Sequence, residues 1–93
     1  MAENDKGKGH DEQIEFTVVV NGEPTKVKAR ESERLATIIP EALRETGNSG
    51  QPAENWELRD EAGKLLDGNA LIGSFNFPKK VRIFLNLKAG IGG

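Results

Sequence analysis

Ile14, Phe16, Val18 and Val20 alternate with Glu15, Thr17 and Val19, and the dipeptide Asn21-Gly22 follows at once. Side chains two apart lie on one face of a strand, so the run predicts a half-buried strand with Ile14, Phe16, Val18 and Val20 inward. Asn-Gly accepts the positive φ angles of a tight primed turn, whose twist suits a two-residue hairpin. Thr25-Lys26-Val27-Lys28-Ala29-Arg30 then alternates again, with its charges on one face. The two runs predict a β-hairpin that is apolar on one side and therefore needs a cover.

The cover comes next in the chain. Leu35, Ile38, Ile39, Ala42 and Leu43 fall at i, i+3, i+4, i+7 and i+8, one apolar stripe of a helix, and Gly47 follows as a C-terminal cap. Pro40 conflicts with a helix interior, where a missing N–H and a steric clash cost about 3 kcal/mol. Either the helix kinks there, or it starts near Thr37 and places Pro40 in the first turn.

Residues 48–55 read as a loop with Gly50 and Pro52, and 56–60 as a short alternating strand beginning at Trp56. A turn at 61–64, with Gly63 available for positive φ, leads to a brief strand at Leu65-Leu66 and closes a second hairpin. Residues 67–78 are irregular, anchored by Leu71, Ile72, Phe75 and Phe77, with room for one helical turn. The last strand, 81–87, puts Val81, Ile83, Leu85 and Leu87 on one face.

Each strand offers one apolar face and the helix one stripe, so the helix must lie across one side of a sheet. The expected fold is α+β: a β-grasp, with a mixed four- to five-stranded sheet, one covering helix, and the first and last strands parallel in the middle. Residues 1–13 read as a flexible polar arm, 14–87 as the grasp domain and 88–93 as a flexible Gly-Gly tail.

Composition limits what this body does. Ninety-three residues suffice for one small core. A net charge of −2 gives no long-range field toward nucleic acid or anionic membrane, so neither is expected as a partner. Without cysteine there is no disulfide, thiolate metal site or thiol nucleophile in this chain. The N-terminus lacks the apolar centre of a signal peptide, and no stretch reaches the roughly 20 apolar residues that span a bilayer, so a cytoplasmic location is expected.

His10 stands in the polar arm without cysteine or another histidine nearby, so no metal is expected there. One histidine cannot supply a nucleophile, base and orienting group, so the chain is not expected to be an enzyme. Gly63-Lys64-Leu65 lacks the upstream glycine and the hydroxyl of a phosphate loop. Trp56 reads as a packing residue. Phe84 points away from the apolar set of its strand, toward Val19, and is either half of a partner-binding patch or an ordinary cross-strand pair.

The chain ends at Lys88-Ala89-Gly90-Ile91-Gly92-Gly93, and the strand order with this Gly-Gly end resembles ubiquitin and its relatives over residues 14–93. The segment GNSGQPAENWELRDEAG at 47–63, with LNLKAGIGG at 85–93, is more specifically similar to the bacterial multiubiquitin type of ubiquitin-like domain. No internal repeat is present, so the resemblance implies a single-copy member.

The resemblance implies that the chain is a protein modifier. An activating enzyme would use ATP to adenylate the Gly93 carboxylate and pass it as a thioester to a conjugating enzyme, and an amine of a target protein would then attack. A deconjugating peptidase would reverse the isopeptide bond. No bound cofactor is implied for the chain itself, which is expected to be a monomer when free. Glycine suits positions 92 and 93 because an arm without Cβ atoms lies extended in a narrow channel and leaves the attacked carbonyl uncrowded. Lys88, Ala89, Gly90 and Ile91 would be the tail read by the activating enzyme, and no trimming protease is expected for a chain ending at Gly93.

The third strand shows Glu57 and Arg59 outward, where ubiquitin has part of its apolar recognition patch, and the tail carries a single basic residue where ubiquitin has several. Dedicated enzymes and receptors are therefore expected, with Phe84, Val19, Glu57 and Arg59 as the candidate partner surface. Lys6 and Lys8 are the most accessible acceptors if the modifier forms chains; otherwise they keep the arm solvated. Two other readings share the residues: a sulfur carrier ending in a thiocarboxylate, and a noncovalent adaptor whose glycines are incidental.

Overall fold

The computed structural model describes residues 11–89. Strand β1 (Gln13–Val20) turns through Asn21 and Gly22 into β2 (Glu23–Arg30). Both turn residues have positive φ, 49° and 90°, as a primed two-residue turn requires. Helix α1 (Ile38–Glu45) follows, then β3 (Trp56–Arg59), β4 (Leu65–Leu66) and β5 (Lys80–Leu87). The five strands form one sheet in the order β2-β1-β5-β3-β4, with β1 and β5 parallel and the other neighbours antiparallel. This is the mixed sheet and single helix of the β-grasp.

The helix resolves the Pro40 conflict by where it begins. A 3-10 turn at Leu35–Thr37 leads into α1, so Pro40 is its third residue, among the first four positions whose N–H groups have no intrahelical partner. The other end closes on Gly47, at φ +73°: its N–H donates to the Arg44 carbonyl, and that of Asn48 to the Leu43 carbonyl. Those two bonds are the paired hydrogen bonds of a glycine-capped C-terminus.

Ile38, Ile39, Ala42 and Leu43 of α1 pack on Phe16, Val18, Val20, Ile83 and Leu85, and no polar side chain is buried among the described residues. Phe77 meets the Phe16 ring edge-on at 5.4 Å and stacks with Phe75 at 5.0 Å, extending the core under the 67–78 segment. A 3-10 turn at Ile72–Phe75 supplies the expected helical turn. Leu71, by contrast, does not serve as an anchor and is 47% exposed. Its backbone bridges to Arg34 and its carbonyl accepts from Ser74, which leaves the inward position to Ile72.

The boundary of the N-terminal arm also moves. Gln13 already pairs with Arg30 in the sheet, the Glu12 carbonyl accepts from the Glu31 N–H at 2.9 Å, and the Asp11 carboxylate accepts from the Ser32 N–H at 3.1 Å. These bonds tie Asp11 and Glu12 to the sheet without any apolar side chain, so hydrophobic periodicity gives no sign of them. Hydrogen bonding from Ser32, with a smaller contribution from Arg30, holds the Asp11 carboxyl below its ordinary pKa.

Candidate functional site

β5 lies beside β1 in the middle of the sheet, and its last residues pair with Trp56 and Glu57 of β3. One bond beyond the strand, the Lys88 N–H donates to the Asn55 carbonyl at 2.9 Å. The root of the tail is thus tied along its β3 side, and Lys88 and Ala89 are exposed. Gly90, Ile91, Gly92 and Gly93 lie outside the described residues, as do Lys6, Lys8 and His10.

The expected neighbour of Phe84 is its actual one. The parallel register sets Val19 opposite Phe84, and the antiparallel register on the other side sets Arg59 opposite Phe84. The same row continues to Pro24 on β2 and to Leu65 on β4, so it crosses all five strands on the face away from α1. Val19 and Phe84 are half-buried and Leu65 is 55% exposed. Glu57 lies one row closer to the tail, opposite Asn86, and its carboxylate accepts from Arg59 Nε at 2.9 Å. Arg59 Nη1 also donates to the Gly63 carbonyl at 2.7 Å, which fixes the guanidinium over the β3-β4 turn. The four residues expected as a surface are therefore brought together, and the arginine is held in place by two partners.

Pro24 and Leu65 were not among the expected surface residues. Only the cross-strand register places them in line with Phe84.

Trp56 is buried, as expected, at 4% exposure. Its Nε1 has no hydrogen-bond partner among the described residues, an arrangement that costs a buried donor about 1–3 kcal/mol. The indole borders a cavity of about 390 Å³ that Ile39, Leu58, Leu66, Gly68 and Lys88 also line, between the helix and the root of the tail. Among the described residues no cluster of histidine and carboxylate side chains has the makings of a metal site, and no helix is long and apolar enough to cross a membrane.

A mixed five-stranded sheet in this order, crossed on one face by a single helix, defines the class of ubiquitin-like folds. Within that class the chain belongs to the family described as "Protein of Unknown function (DUF2604)", whose model matches residues 9–93. It is 51% identical over 81 residues to the Sinorhizobium fredii "Uncharacterized protein y4jI"; the match covers 87% of this chain and 62% of that relative's length. Among solved structures it resembles a protein designed de novo on the basis of ubiquitin, with TM-score 0.69 and 16% identity over 87% of this chain and 95% of that one. It also resembles the ubiquitin of Caldiarchaeum subterraneum, with TM-score 0.68 and 13% identity over 88% of this chain and all of that one. At such identities the likeness is one of fold.

Proposed function

We propose that the chain is a cytoplasmic ubiquitin-like modifier of the multiubiquitin type, joined to target proteins through Gly93. The observation that carries this reading is the tethered root of the tail: β5, held in the sheet centre, runs out through the Lys88–Asn55 bond to an exposed Ala89 at the sheet end. A fixed body with the start of its tail exposed suits an enzyme that acts on that tail.

In the proposed reaction the Gly93 carboxylate attacks the α-phosphorus of ATP on an activating enzyme, forming an acyl-adenylate and releasing pyrophosphate. A cysteine thiolate of that enzyme displaces AMP to give a thioester, which exchanges onto a conjugating enzyme. A target amine then attacks the thioester, releasing the thiol and forming an isopeptide bond that a deconjugating peptidase hydrolyses. The chain itself is substrate and not catalyst, since it has no cysteine and a single histidine, His10. Free of its targets it is a monomer, and the ATP belongs to the activating enzyme.

Incubation with ATP and a cognate activating and conjugating enzyme, followed by intact-mass measurement, tests this. Higher-mass adducts that need ATP and disappear when Gly93 is deleted are expected. A product heavier only by the exchange of one oxygen for sulfur would instead mark a sulfur carrier. Adducts that persist without Gly93 would contradict both.

A further inference from the structure

The net charge of −2 conceals a strong segregation of charge. Register places Lys26, Lys28, Arg30, Lys80, Arg82 and Arg59 on the sheet face away from α1, against two strand carboxylates, Glu15 and Glu57, while the Asp11 carboxylate lies 3.9 Å from Arg30 at the edge of the face. The rest of residues 11–89 carries eleven carboxylates and five cations. One face is thus basic on an otherwise acidic body, and the composition that argued against any directing field averages the two.

The cations also have an order. Lys28 and Lys80 flank Glu15, and Lys26 and Arg82 flank Thr17, so two basic columns on β2 and β5 run either side of β1. With strands about 4.8 Å apart the columns are separated by roughly 10 Å, the width of one peptide segment between them. Glu15 is offset by Lys26, whose Nζ lies 3.5 Å from it. Immediately beyond these two rows comes the half-buried Val19–Phe84 pair.

We infer that this face docks an acidic protein segment, lying along β1 with its carboxylates between the basic columns and an apolar side chain on Val19 and Phe84. Charge complementarity selects the partner's chemistry, and the apolar row selects protein over nucleic acid. A single-stranded nucleic acid binds through several stacking aromatics and a continuous basic groove, whereas this face offers one aromatic and two carboxylates on a body that repels polyanions. The docking does not depend on activation of Gly93, so it stands or falls separately from the modifier reading.

The test uses the ¹⁵N-labelled full chain, an acetylated peptide of sequence EDEIDLDEE, and a charge-reversed control peptide. Saturable shifts of amides 15–19, 26–28 and 80–84 are expected with the acidic peptide alone, weakening as salt rises from roughly 50 to 300 mM. The variant K28E/R82E, at two exposed positions, is expected to bind about tenfold more weakly, and deletion of Gly92 and Gly93 to bind as wild type. If the double reversal disturbs the fold, the neutralising pair K26Q/K80Q takes its place. Shifts on α1 instead, unchanged affinity in these variants, or no saturation by about 2 mM peptide would overturn the inference. So would tighter binding of a twelve-nucleotide oligo(dT), or sedimentation showing a second copy on this face that R82E releases.

Discussion

The two faces of the same sheet obey different constraints. On the inner face Phe16, Val18, Val20, Ile83 and Leu85 are fully buried beneath α1. On the outer face the same strands show Thr17, Val19, Arg82 and Phe84, none of them buried. Substitution inside changes whether the chain folds; substitution outside changes what the folded chain meets.

The difference is largest for two phenylalanines. Phe16→Ala, in a close-packed site with an edge-on ring contact, is expected to cost about 3–5 kcal/mol of unfolding free energy. Phe84→Ala is expected to cost about 1 kcal/mol or less, as for a half-exposed cross-strand pair. Urea unfolding of both variants measures the contrast, and equal losses would break the comparison.

Trp56 sharpens it, because this inward residue carries an orphaned donor. Trp56→Ala is expected to lose about 3–5 kcal/mol through the cavity it leaves, whereas Trp56→Phe, which removes the unpaired N–H while keeping most of the ring, is expected to lose less than about 1.5 kcal/mol. Thermal unfolding of the pair separates packing from polarity.

Smaller still is the effect at the helix end. Gly47→Ala is expected to destabilise by about 1 kcal/mol, because φ is +73° there although the space around it is open. A neutral result would place the cap's contribution in its hydrogen bonds and not in the glycine.

The smallest effect belongs to the exposed Asp11. A carboxyl with a lowered folded-state pKa contributes stability that is present above its unfolded value and is lost as pH falls through the folded one. Below the ordinary aspartate pKa of 3.8 the wild type is therefore expected to lose a little stability that Asp11→Asn, lacking the titration, does not. An NMR titration of the Asp11 carboxyl, with unfolding midpoints at pH 5 and pH 2.5 for both chains, checks the direction.

The inner face was legible because burial imposes a period. Alternation gave β1, β2 and β5, the five-residue stripe gave α1, and Asn21-Gly22 gave the register of the first hairpin. Leu71 misled because hydrophobicity alone does not say which of two adjacent apolar residues turns inward in an irregular segment. The contacts of Asp11 and Glu12 with Ser32 and Glu31 were hidden because polar contacts between distant residues leave no periodic trace.

The outer face was legible only in part. Phe84 beside Val19 followed from the parallel pairing of the first and last strands, but the basic columns needed the register of three strands at once. Sequence gives each lysine its neighbours along the strand, and function depends on its neighbours across the sheet.

The claim that the tail is the reactive end has a direct chemical readout. Trypsin cleaves after Lys88, so any target joined through Gly93 would carry the branch Ala89-Gly90-Ile91-Gly92-Gly93 on its acceptor lysine after digestion. Mass spectrometry of the reaction with ATP and an activating enzyme shown to be active is predicted to find that branch on target lysines, or on Lys6 and Lys8 where chains form. Its absence from such a reaction, or a linkage that does not end in Gly93, would contradict the account.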